Sequence, residues 1–357
     1  MPEELSLPVC SPPRDGEVRI GPLRPIAAVL RESGHDAAAV LVAAGLEPGA
    51  FDHPERRIAF HVAADLIRRG ALLTGAEDFG LRVGARFELE ALGLLGHLVW
   101  RAPTVGAALQ ELNRFLHLQD RGSVSYLRPA QEGVVSLGYS IFDPDTPAAG
   151  LVYDLVLAMG MSLLRRLAGA RFRAIEVWLP HAGPSLPQPY GRAFGAALRF
   201  DAPRAEIHFA ADWLSAPLAG ADTMQHERVQ RAIALAEARD APDLVGRARA
   251  AVRVLLLTGN ASATSIAAAL GLHERTLRRR LRAEGQTLQR VVALARFDVA
   301  RQLLHETRLP LADIADALGY AEASAFVRAF HGWAGCTPGH WRGANASAAP
   351  AAASVRC

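Results

Sequence analysis

Residues 266–271, Ile-Ala-Ala-Ala-Leu-Gly, decide the fold, because they return 48 residues later as 314–319, Ile-Ala-Asp-Ala-Leu-Gly. Each copy has helical apolar spacing and ends in a glycine, which favours a tight turn. A second amphipathic segment follows each turn, 275–283 after the first copy and 324–331 after the second. This order is typical of a helix-turn-helix, whose second helix enters the major groove of DNA. The repeat therefore predicts two DNA-reading heads in one chain.

The segment 288–305 joins the two predicted heads, and its pattern predicts one continuous helix. A helix of about 18 residues spans roughly 27 Å. Successive major grooves on one face of a duplex lie ~34 Å apart. We therefore expect a rigid rod that holds the two heads at neighbouring grooves.

The second helix of each head has one apolar pair at i, i+4 spacing: Leu277 with Leu281, and Phe326 with Phe330. These pairs are expected to face the core, which leaves the polar side chains of the same helices outward. In the major groove, one arginine that bonds guanine with both arms contributes about 1–3 kcal/mol of discrimination. The candidate DNA-binding residues are Arg275, Arg278, Arg279, Arg282, Ser324 and Arg328.

Charge is unevenly distributed along the chain. Residues 243–342 have 14 arginines against 8 acidic residues, whereas residues 1–242 have 24 arginines against 28 acidic residues. A basic module attached to a mildly acidic body favours nucleic-acid binding by the module. The chain has no lysine. The use of arginine rather than lysine at a given position therefore indicates little about function, and the location of each arginine is more informative.

Other function classes find little support in the sequence. No run of 18 apolar residues predicts a membrane span, and residues 1–13 lack the features of a secretory signal, so we expect a cytoplasmic protein. Cys10, Cys336 and Cys357 are far apart and form no metal or disulfide pattern. Without a phosphate-binding loop or a nucleophile elbow, we expect no enzyme, catalytic residue, metal or cofactor.

The sequence pattern of the N-terminal two-thirds of the chain predicts an α+β fold. Strands at 124–128 and 134–141 flank a Gln-Glu-Gly turn and predict a hairpin, and 148–167 predicts a long apolar helix. Further strands are predicted at 174–179, 197–200 and 205–209. We expect a small, mostly antiparallel sheet packed by helices, followed by an all-α domain with two helix-turn-helix motifs joined by a long helix.

Composition also predicts the domain boundaries. Pro242 follows an amphipathic helix at 224–239 and is expected to separate body from module. The predicted division is a disordered leader 1–20, an effector-binding or dimerisation domain 21–220, a linker helix 221–242, a DNA-binding domain 243–342 and a disordered tail 343–357.

Several groups of residues in the C-terminal module stand in an order and spacing shared with a known family. They are Ser265-Ile266-Ala267, Leu270-Gly271, Arg275-Thr276-Leu277-Arg278-Arg279-Arg280-Leu281, Gly285, Ile314-Ala315, Leu318-Gly319-Tyr320, Ser324-Ala325-Phe326-Val327-Arg328-Ala329-Phe330, Trp333, Gly335, Thr337-Pro338 and Trp341-Arg342. The module resembles the AraC/XylS family of bacterial transcription regulators. The resemblance implies a monomeric DNA-binding unit whose base-reading positions fall on Arg275, Arg278, Arg279, Ala323, Ser324 and Arg328.

The second head departs from the family pattern. Ala323 offers no hydrogen bond, Val327 stands where the family usually has a small hydroxyl residue, and His331-Gly332 replaces a commonly basic pair. We expect the first head to carry most of the base specificity and the second to position the protein.

The N-terminal body also resembles a family domain, over about residues 24–218. The matching residues are Gly93-Leu94-Leu95-Gly96, Pro103-Thr104, Ala107-Ala108-Leu109, Tyr190, Phe194-Gly195, Phe200, Ile207-His208-Phe209, Leu214 and Pro217-Leu218. They resemble the arabinose-binding-like sensor domain of one branch of these regulators. The resemblance implies effector binding and often dimerisation, but it transfers no ligand identity, and the sequence identifies no effector-binding residue.

We therefore expect a sequence-specific transcription regulator, an activator rather than a repressor, that binds double-stranded promoter DNA and a small-molecule effector. A homodimer and contact with RNA polymerase are expected from the resemblance. One alternative is a constitutive regulator whose N-terminal domain only dimerises, and another is a metabolite-processing enzyme with a DNA-binding appendage. A DNA-repair methyltransferase that shares the module needs an activated cysteine and a four-cysteine zinc site, which three scattered cysteines cannot supply.

Overall fold

The computed structural model describes residues 16–143, 145–239, 244–259 and 261–346. The predicted leader up to residue 15, the predicted boundary at Pro242 and the predicted tail from residue 347 lie outside the described residues. No helix in these ranges is long and apolar enough to cross a bilayer.

The described residues form an N-terminal α+β domain and a C-terminal helical domain. The N-terminal helices are α1 (Pro25–Glu32), α2 (Ala37–Ala43), α3 (Phe60–Thr74), α4 (Phe79–Gly84), α5 (Leu94–Arg101), α6 (Val105–Phe115), α7 (Ala149–Ala168), α8 (Gln188–Phe194) and α9 (Thr223–Arg239). The strands are β1 (Glu17–Arg19), β2 (Arg57–Ala59), β3 (Ser123–Gln131), β4 (Val134–Ile141), β5 (Glu176–Trp178), β6 (Ala197–Arg199) and β7 (Ala205–Ala210). The C-terminal helices are α10 (Leu244–Leu257), α11 (Ala263–Ala269), α12 (Glu274–Ala283), α13 (Leu288–Glu306), α14 (Leu311–Ala317), α15 (Ala323–Ala334) and α16 (Pro338–Ala346).

The main sheet has the order β3-β4-β7-β5-β6 in the described part of the chain. All its pairs are antiparallel except β5 with β6. The predicted hairpin is β3–β4, which turns at Gly133 with a φ of 71°. The predicted fold class, a small and mostly antiparallel sheet packed by helices, is confirmed.

Helix α7 lies between the sheet and helices α3 and α4 and organises the N-terminal core. Its contact with α4 is unusually close, because a Cβ on Gly80 or Gly84 would stand 2.1 Å from the carbonyl oxygens of Leu151 and Leu155, respectively. Only glycine permits this approach of two helix backbones. The position of α7 is therefore held tightly from one side.

The predicted leader is wrong for residues 16–20. Strand β1 pairs antiparallel with β2, Ile20 is fully buried, and Arg19 is buried and ion-paired with Glu55. The pairing partner lies some forty residues further on, so local composition did not reveal it. The predicted tail is likewise wrong for residues 343–346, which continue α16. Alanine and glycine there extend a helix that Trp341 anchors on Phe330, with ring centroids 5.9 Å apart.

The C-terminal domain has two small cores that share the rod α13. Val291 and Ala295 pack with the first head, whereas Val299 and Leu303, two turns further along, pack with the second. The rod has 19 residues, one more than predicted, and spans about 28 Å. Each head is therefore packed on its own half of one continuous helix.

The predicted linker helix, α9, packs on the N-terminal domain. His226 Nδ1 lies 3.3 Å from the carbonyl oxygen of Leu98, and Gln230 Nε2 donates to Glu111 Oε1 at 2.6 Å. Val229 is buried in the N-terminal core. The helix is thus held by α5 and α6 for much of its length.

Candidate nucleic-acid interface

The first head begins with a capped helix and turns at a glycine. Ser262 Oγ accepts a hydrogen bond from Ser265 N at 3.0 Å and caps α11. Gly271 ends the helix with a φ of 66°, a conformation that costs other residues strain. His273 Nδ1 then accepts from Arg275 N at 3.3 Å and starts α12. These local contacts set the angle between α11 and α12.

Helix α12 separates an apolar face from a basic one. Leu277 and Leu281 are fully buried in the first head's core, as predicted. The opposite side is open, with Arg278 half-exposed and Arg275, Arg279 and Arg282 exposed. One shallow depression is lined by His273, Glu274, Arg275, Arg278, Arg279 and Arg282. The structure therefore brings the four predicted arginines of this head onto one surface.

Glu274 belongs to this surface although the sequence interpretation did not select it. Its Oε1 accepts from Arg278 Nε at 2.8 Å, and its Oε2 lies 3.4 Å from Thr264 Oγ1. The signal was present as an i, i+4 acid–arginine spacing, which pairs side chains on one helix face. Glu274 therefore holds the Arg278 guanidinium on the open basic surface of α12.

The second head repeats the plan with aromatic anchors. Gly319 turns the chain with a φ of 74°, and α15 buries Phe326 and Phe330 completely. Ser324 and Arg328 are exposed on the same helix, as predicted. Ser324 Oγ donates to Glu322 Oε2 at 3.0 Å, so its hydroxyl is engaged within the head.

Two of the residues that depart from the family pattern in the second head pack against its core. Ala323 and Val327 are half-buried and pack against the second core. Helix α15 runs three residues past its predicted end and stops at Gly335, which has a φ of 70°. Trp333 packs against Phe297 of the rod with ring centroids 5.8 Å apart, and so lies beneath the second head.

Two family models cover most of the chain. Residues 34–218 match the arabinose-binding N-terminal domain of AraC transcription regulators, and residues 266–344 match a helix-turn-helix domain. The chain belongs to the AraC family of transcription regulators. The predicted family, its two-domain fold class and its function as a DNA-binding transcription regulator are confirmed.

Curated relatives of this AraC-family regulator share its length. The HTH-type transcriptional regulator VirS of Mycobacterium tuberculosis is 31% identical over 323 residues, which cover 88% of this chain and 93% of VirS. The ornithine utilization regulator of Pseudomonas aeruginosa is 29% identical over 318 residues, with 88% and 93% coverage. The crystal structure of the transcriptional regulator CdpR from Pseudomonas aeruginosa is similar with a TM-score of 0.41 and 26% identity, covering 77% of this chain and 90% of that one.

A buried arginine connects the two domains of the regulator. Arg253 lies on α10 of the C-terminal domain, yet its guanidinium donates to Phe142 O at 3.0 Å and to Ile141 O. It also lies 3.3 Å from both Ser140 Oγ and Gln302 Oε1. Burial lowers the pKa of Arg253 to about 10. A buried guanidinium needs such acceptors, so the end of β4 and the rod are joined through one side chain.

The contact extends to the core helix of the N-terminal domain. Gln302 Nε2, on α13, donates to the hydroxyl of Tyr153, which lies on α7. Burial raises the pKa of Tyr153 to about 12, so its hydroxyl keeps its proton at neutral pH. Outside this network, Asp201 Oδ1 accepts from Arg308 N at 3.0 Å. Helix α7 is therefore connected to the rod between the heads by one hydrogen-bonded chain.

Proposed function

We propose that this AraC-family regulator recognises promoter DNA with both heads and reads bases mainly with α12. The observation that carries the proposal is the open basic surface of α12, whose opposite side is anchored by two buried leucines. Arg275, Arg278 and Arg279 would contact bases, and Arg282 would contact bases or phosphates. Ser324 and Arg328 would contact the duplex from the second head, chiefly to position it.

We also propose the domain division and the partners that the sequence predicts. The domain division is an effector-binding or dimerisation domain 21–220, a linker helix 221–242 and a DNA-binding domain 243–342. The regulator acts in the cytoplasm as a homodimer, binds a small-molecule effector and activates transcription through RNA polymerase. Support comes from the family and, for effector control, from the hydrogen-bonded chain between α7 and α13.

An effector would act by binding two states of the N-terminal domain unequally. A shift of α7 would move the Tyr153 hydroxyl relative to Gln302 and change the contacts of Arg253. Gln302 lies on the rod α13, which sets the spacing of the heads, and both Tyr153 and Arg253 contact Gln302. The linker helix α9, in contrast, packs on α5 and α6.

The decisive experiment selects binding sites for the full chain from a pool of random duplexes. We expect two enriched half-sites about 10–10.5 base pairs apart. Replacing Arg275, Arg278, Arg279 and Arg282 together with alanine should abolish enrichment. The matched control removes four exposed arginines of the N-terminal domain, Arg24, Arg31, Arg171 and Arg192. If the control lost enrichment equally, net charge rather than α12 would explain binding.

Activation and effector control need a separate test. Transcription from a promoter with the selected site is measured with purified RNA polymerase, with and without cell metabolite extract. We expect transcript to rise with regulator and to depend on the extract. Equal transcript with and without extract would favour the constitutive alternative, and lower transcript with regulator would make it a repressor.

A further inference from the structure

The N-terminal domain contains an apolar cavity that the sequence did not reveal. It lies between the face of the main sheet and helices α3 and α7, with a volume of about 140 Å³. Ala64 and Ile67 line it from α3, Val152 and Val156 from α7, and Leu137 from β4. An apolar cavity of ~150 Å³ in another protein accepts benzene. The cavity is therefore large enough for one ring or an aliphatic group of similar bulk.

The lining of the cavity also includes buried polar atoms. Gln119 and Ser125 line it and are only 3% and 8% exposed. Gln119 Nε2 donates to Leu92 O. Gln119 Oε1 and Ser125 Oγ, in contrast, have no hydrogen-bond partner among the described residues. Buried polar atoms normally have partners, so these two indicate a ligand group that supplies them.

Asp120, which follows Gln119 in the chain and also lines the cavity, indicates which ligand charge the cavity can accept. Its carboxyl is buried and accepts from Gly122 N at 2.7 Å, from Tyr139 OH at 2.8 Å and from Ser123 Oγ. Burial raises the pKa of Asp120 despite these donors. The cavity lining in the described part of the chain includes no arginine or histidine. An anionic ligand would meet an acidic group and acceptor oxygens without a cation to balance it.

We propose that this cavity binds a small, neutral, mainly apolar molecule with one hydroxyl group. The ligand hydroxyl donates its proton to Gln119 Oε1, and its oxygen accepts from Ser125 Oγ, while the ring or alkyl body contacts α3 and α7. A regulatory role for this ligand rests on the effector control proposed above. In that case the effector is a neutral, mainly apolar molecule with one hydroxyl group that binds in this cavity.

The ligand site is close to the contact between domains. Val152 and Val156 form part of the cavity wall, and Tyr153 lies between them on the same helix with its hydroxyl bonded to Gln302. A ligand that presses on this wall acts on the helix that carries the interdomain bond. The cavity and the rod are thus connected through α7, and also through β4, which lines the cavity with Leu137 and is bonded at its end by Arg253.

The test is isothermal titration calorimetry of the full chain with three probes of similar size: phenol, toluene and benzoate. We expect phenol to bind at one site per chain, toluene to bind at least roughly fivefold more weakly, and benzoate not to bind. The fivefold difference is about the contribution of one hydrogen bond. Absence of phenol binding, equal binding of toluene, or binding of benzoate would overturn the proposal.

Variants assign the binding to this cavity. Ser125→Ala should weaken phenol binding roughly fivefold and leave toluene binding unchanged, because only the hydroxyl contact is lost. Ser136→Ala is the matched control, since Ser136 is also buried and its Oγ also lacks a partner among the described residues, but it does not line the cavity. Ala64→Leu should fill the space and abolish binding of both probes. Unchanged phenol binding in Ser125→Ala would overturn the assignment even if Ala64→Leu did not fold.

The measurement contains no DNA, so its outcome is independent of site selection by the heads. Phenol binding without any change in DNA affinity or transcription would leave the ligand site standing and remove effector control. Loss of DNA selectivity by the α12 variant, with phenol binding intact, would confirm that the two sites are separate.

Discussion

At the scale of single residues, arginines at different positions have different roles, although the chain uses arginine in place of every lysine. Arg253 is buried between domains, and Arg342 donates to Leu309 O at 2.7 Å and so holds α16 to the second head. Arg275 and Arg279 instead extend from α12 into solvent. Arg278 is intermediate, because Glu274 pairs with it while its side chain stays 41% exposed. Base reading is therefore expected from arginines that the protein itself leaves accessible.

The first prediction concerns Arg278. Arg278→Ala should lower affinity for the selected site by about 1–3 kcal/mol and relax the preference at one or two base pairs. Arg192→Ala, an exposed arginine on α8, removes the same charge and should leave the preference unchanged. The measurement is fluorescence anisotropy with the selected duplex and single-base variants. An equal loss on selected and random DNA would make Arg278 a phosphate anchor.

The second prediction concerns Glu274, which we regard as a positioning residue. Glu274→Gln should raise affinity for random duplex and reduce the ratio of specific to non-specific affinity roughly two- to fivefold, as expected for loss of a half-exposed ion pair. Glu284→Gln removes an exposed acid just after the same helix and is the control. Competition binding at fixed salt measures both ratios. The same fall in ratio for both variants would remove the role assigned to the Glu274–Arg278 pair.

At the scale of elements, each head depends on a glycine turn whose backbone conformation is the constraint. A Cβ at Gly271 or Gly319 would meet nothing within 4 Å, so only the positive φ opposes a larger residue. Gly332 differs, because it lies inside α15 with open space around it and no positive φ. The same substitution should therefore act in opposite directions at these sites.

The third prediction uses this contrast. Gly271→Ala and Gly319→Ala should each destabilise the protein by about 1–2 kcal/mol, the strain of a left-handed residue. Gly332→Ala should stabilise it by about 0.5–1 kcal/mol, because alanine loses less backbone entropy in a helix. Urea unfolding followed by circular dichroism measures all three. A stabilising Gly271→Ala would show that the turn does not need the conformation described.

Helix α7 also holds the loop before α8 by a titratable contact. Asp154 Oδ1 lies 3.0 Å from His181 Nε2, and Asp154 Oδ2 accepts from Tyr190 OH at 2.6 Å. Burial alone would lower the pKa of His181, but the hydrogen bond and the charge of Asp154 outweigh it and raise that pKa above 6.5. The charged pair therefore contributes most at acidic pH.

The fourth prediction follows from the sign of that shift. A raised folded-state pKa stabilises the fold below the unfolded pKa of 6.5, and the contribution is lost as pH rises through the folded value. The stability of the wild type relative to His181→Asn should therefore fall as pH rises above the unfolded pKa of 6.5. Urea unfolding at several pH values measures the difference. A difference that grows with pH would contradict the assigned direction.

At the scale of the whole molecule, the two domains are joined by buried polar contacts rather than by an apolar surface alone. Val124, Tyr126 and Leu257 form a small apolar cluster between β3 and α10. Beside it, Arg253 and Gln302 meet the end of β4 and the hydroxyl of Tyr153. Such networks lose much of their stability when one partner is removed, because the remaining groups stay buried and unpaired.

The fifth prediction tests this contact. Tyr153→Phe should cost about 1–3 kcal/mol, because Gln302 Nε2 and the Ile141 amide lose an acceptor. Amide hydrogen exchange should become faster in the C-terminal turns of α13, around Gln302, and at the end of β4. Tyr190→Phe is the control, since it loses a buried hydroxyl bond inside the N-terminal domain. Equal acceleration of α13 exchange in both variants would contradict a specific role for Tyr153.

The sequence by itself determined the two heads and the basic face of α12. These depend on spacings of three or four residues, as with Leu277 and Leu281, and on glycines such as Gly271 that a left-handed turn requires. A periodic pattern and a turn residue act locally, so they can be identified without knowing what the helix packs against. The α+β class and the rod followed from the same local rules, whereas the family followed from the resemblance of its ordered motifs to those of known regulators.

Only the tertiary structure decided the cavity, the partners of Arg253 and the pairing of β1. Arg253 and Phe142 are 111 residues apart, and Gln302 and Tyr153 are 149 apart. In the sequence Arg253 is one more arginine in an amphipathic helix, and Gln119 and Ser125 are ordinary polar residues. Their burial and their partners depend on how the sheet, α7 and the rod pack together, and no local pattern in the chain encodes that packing.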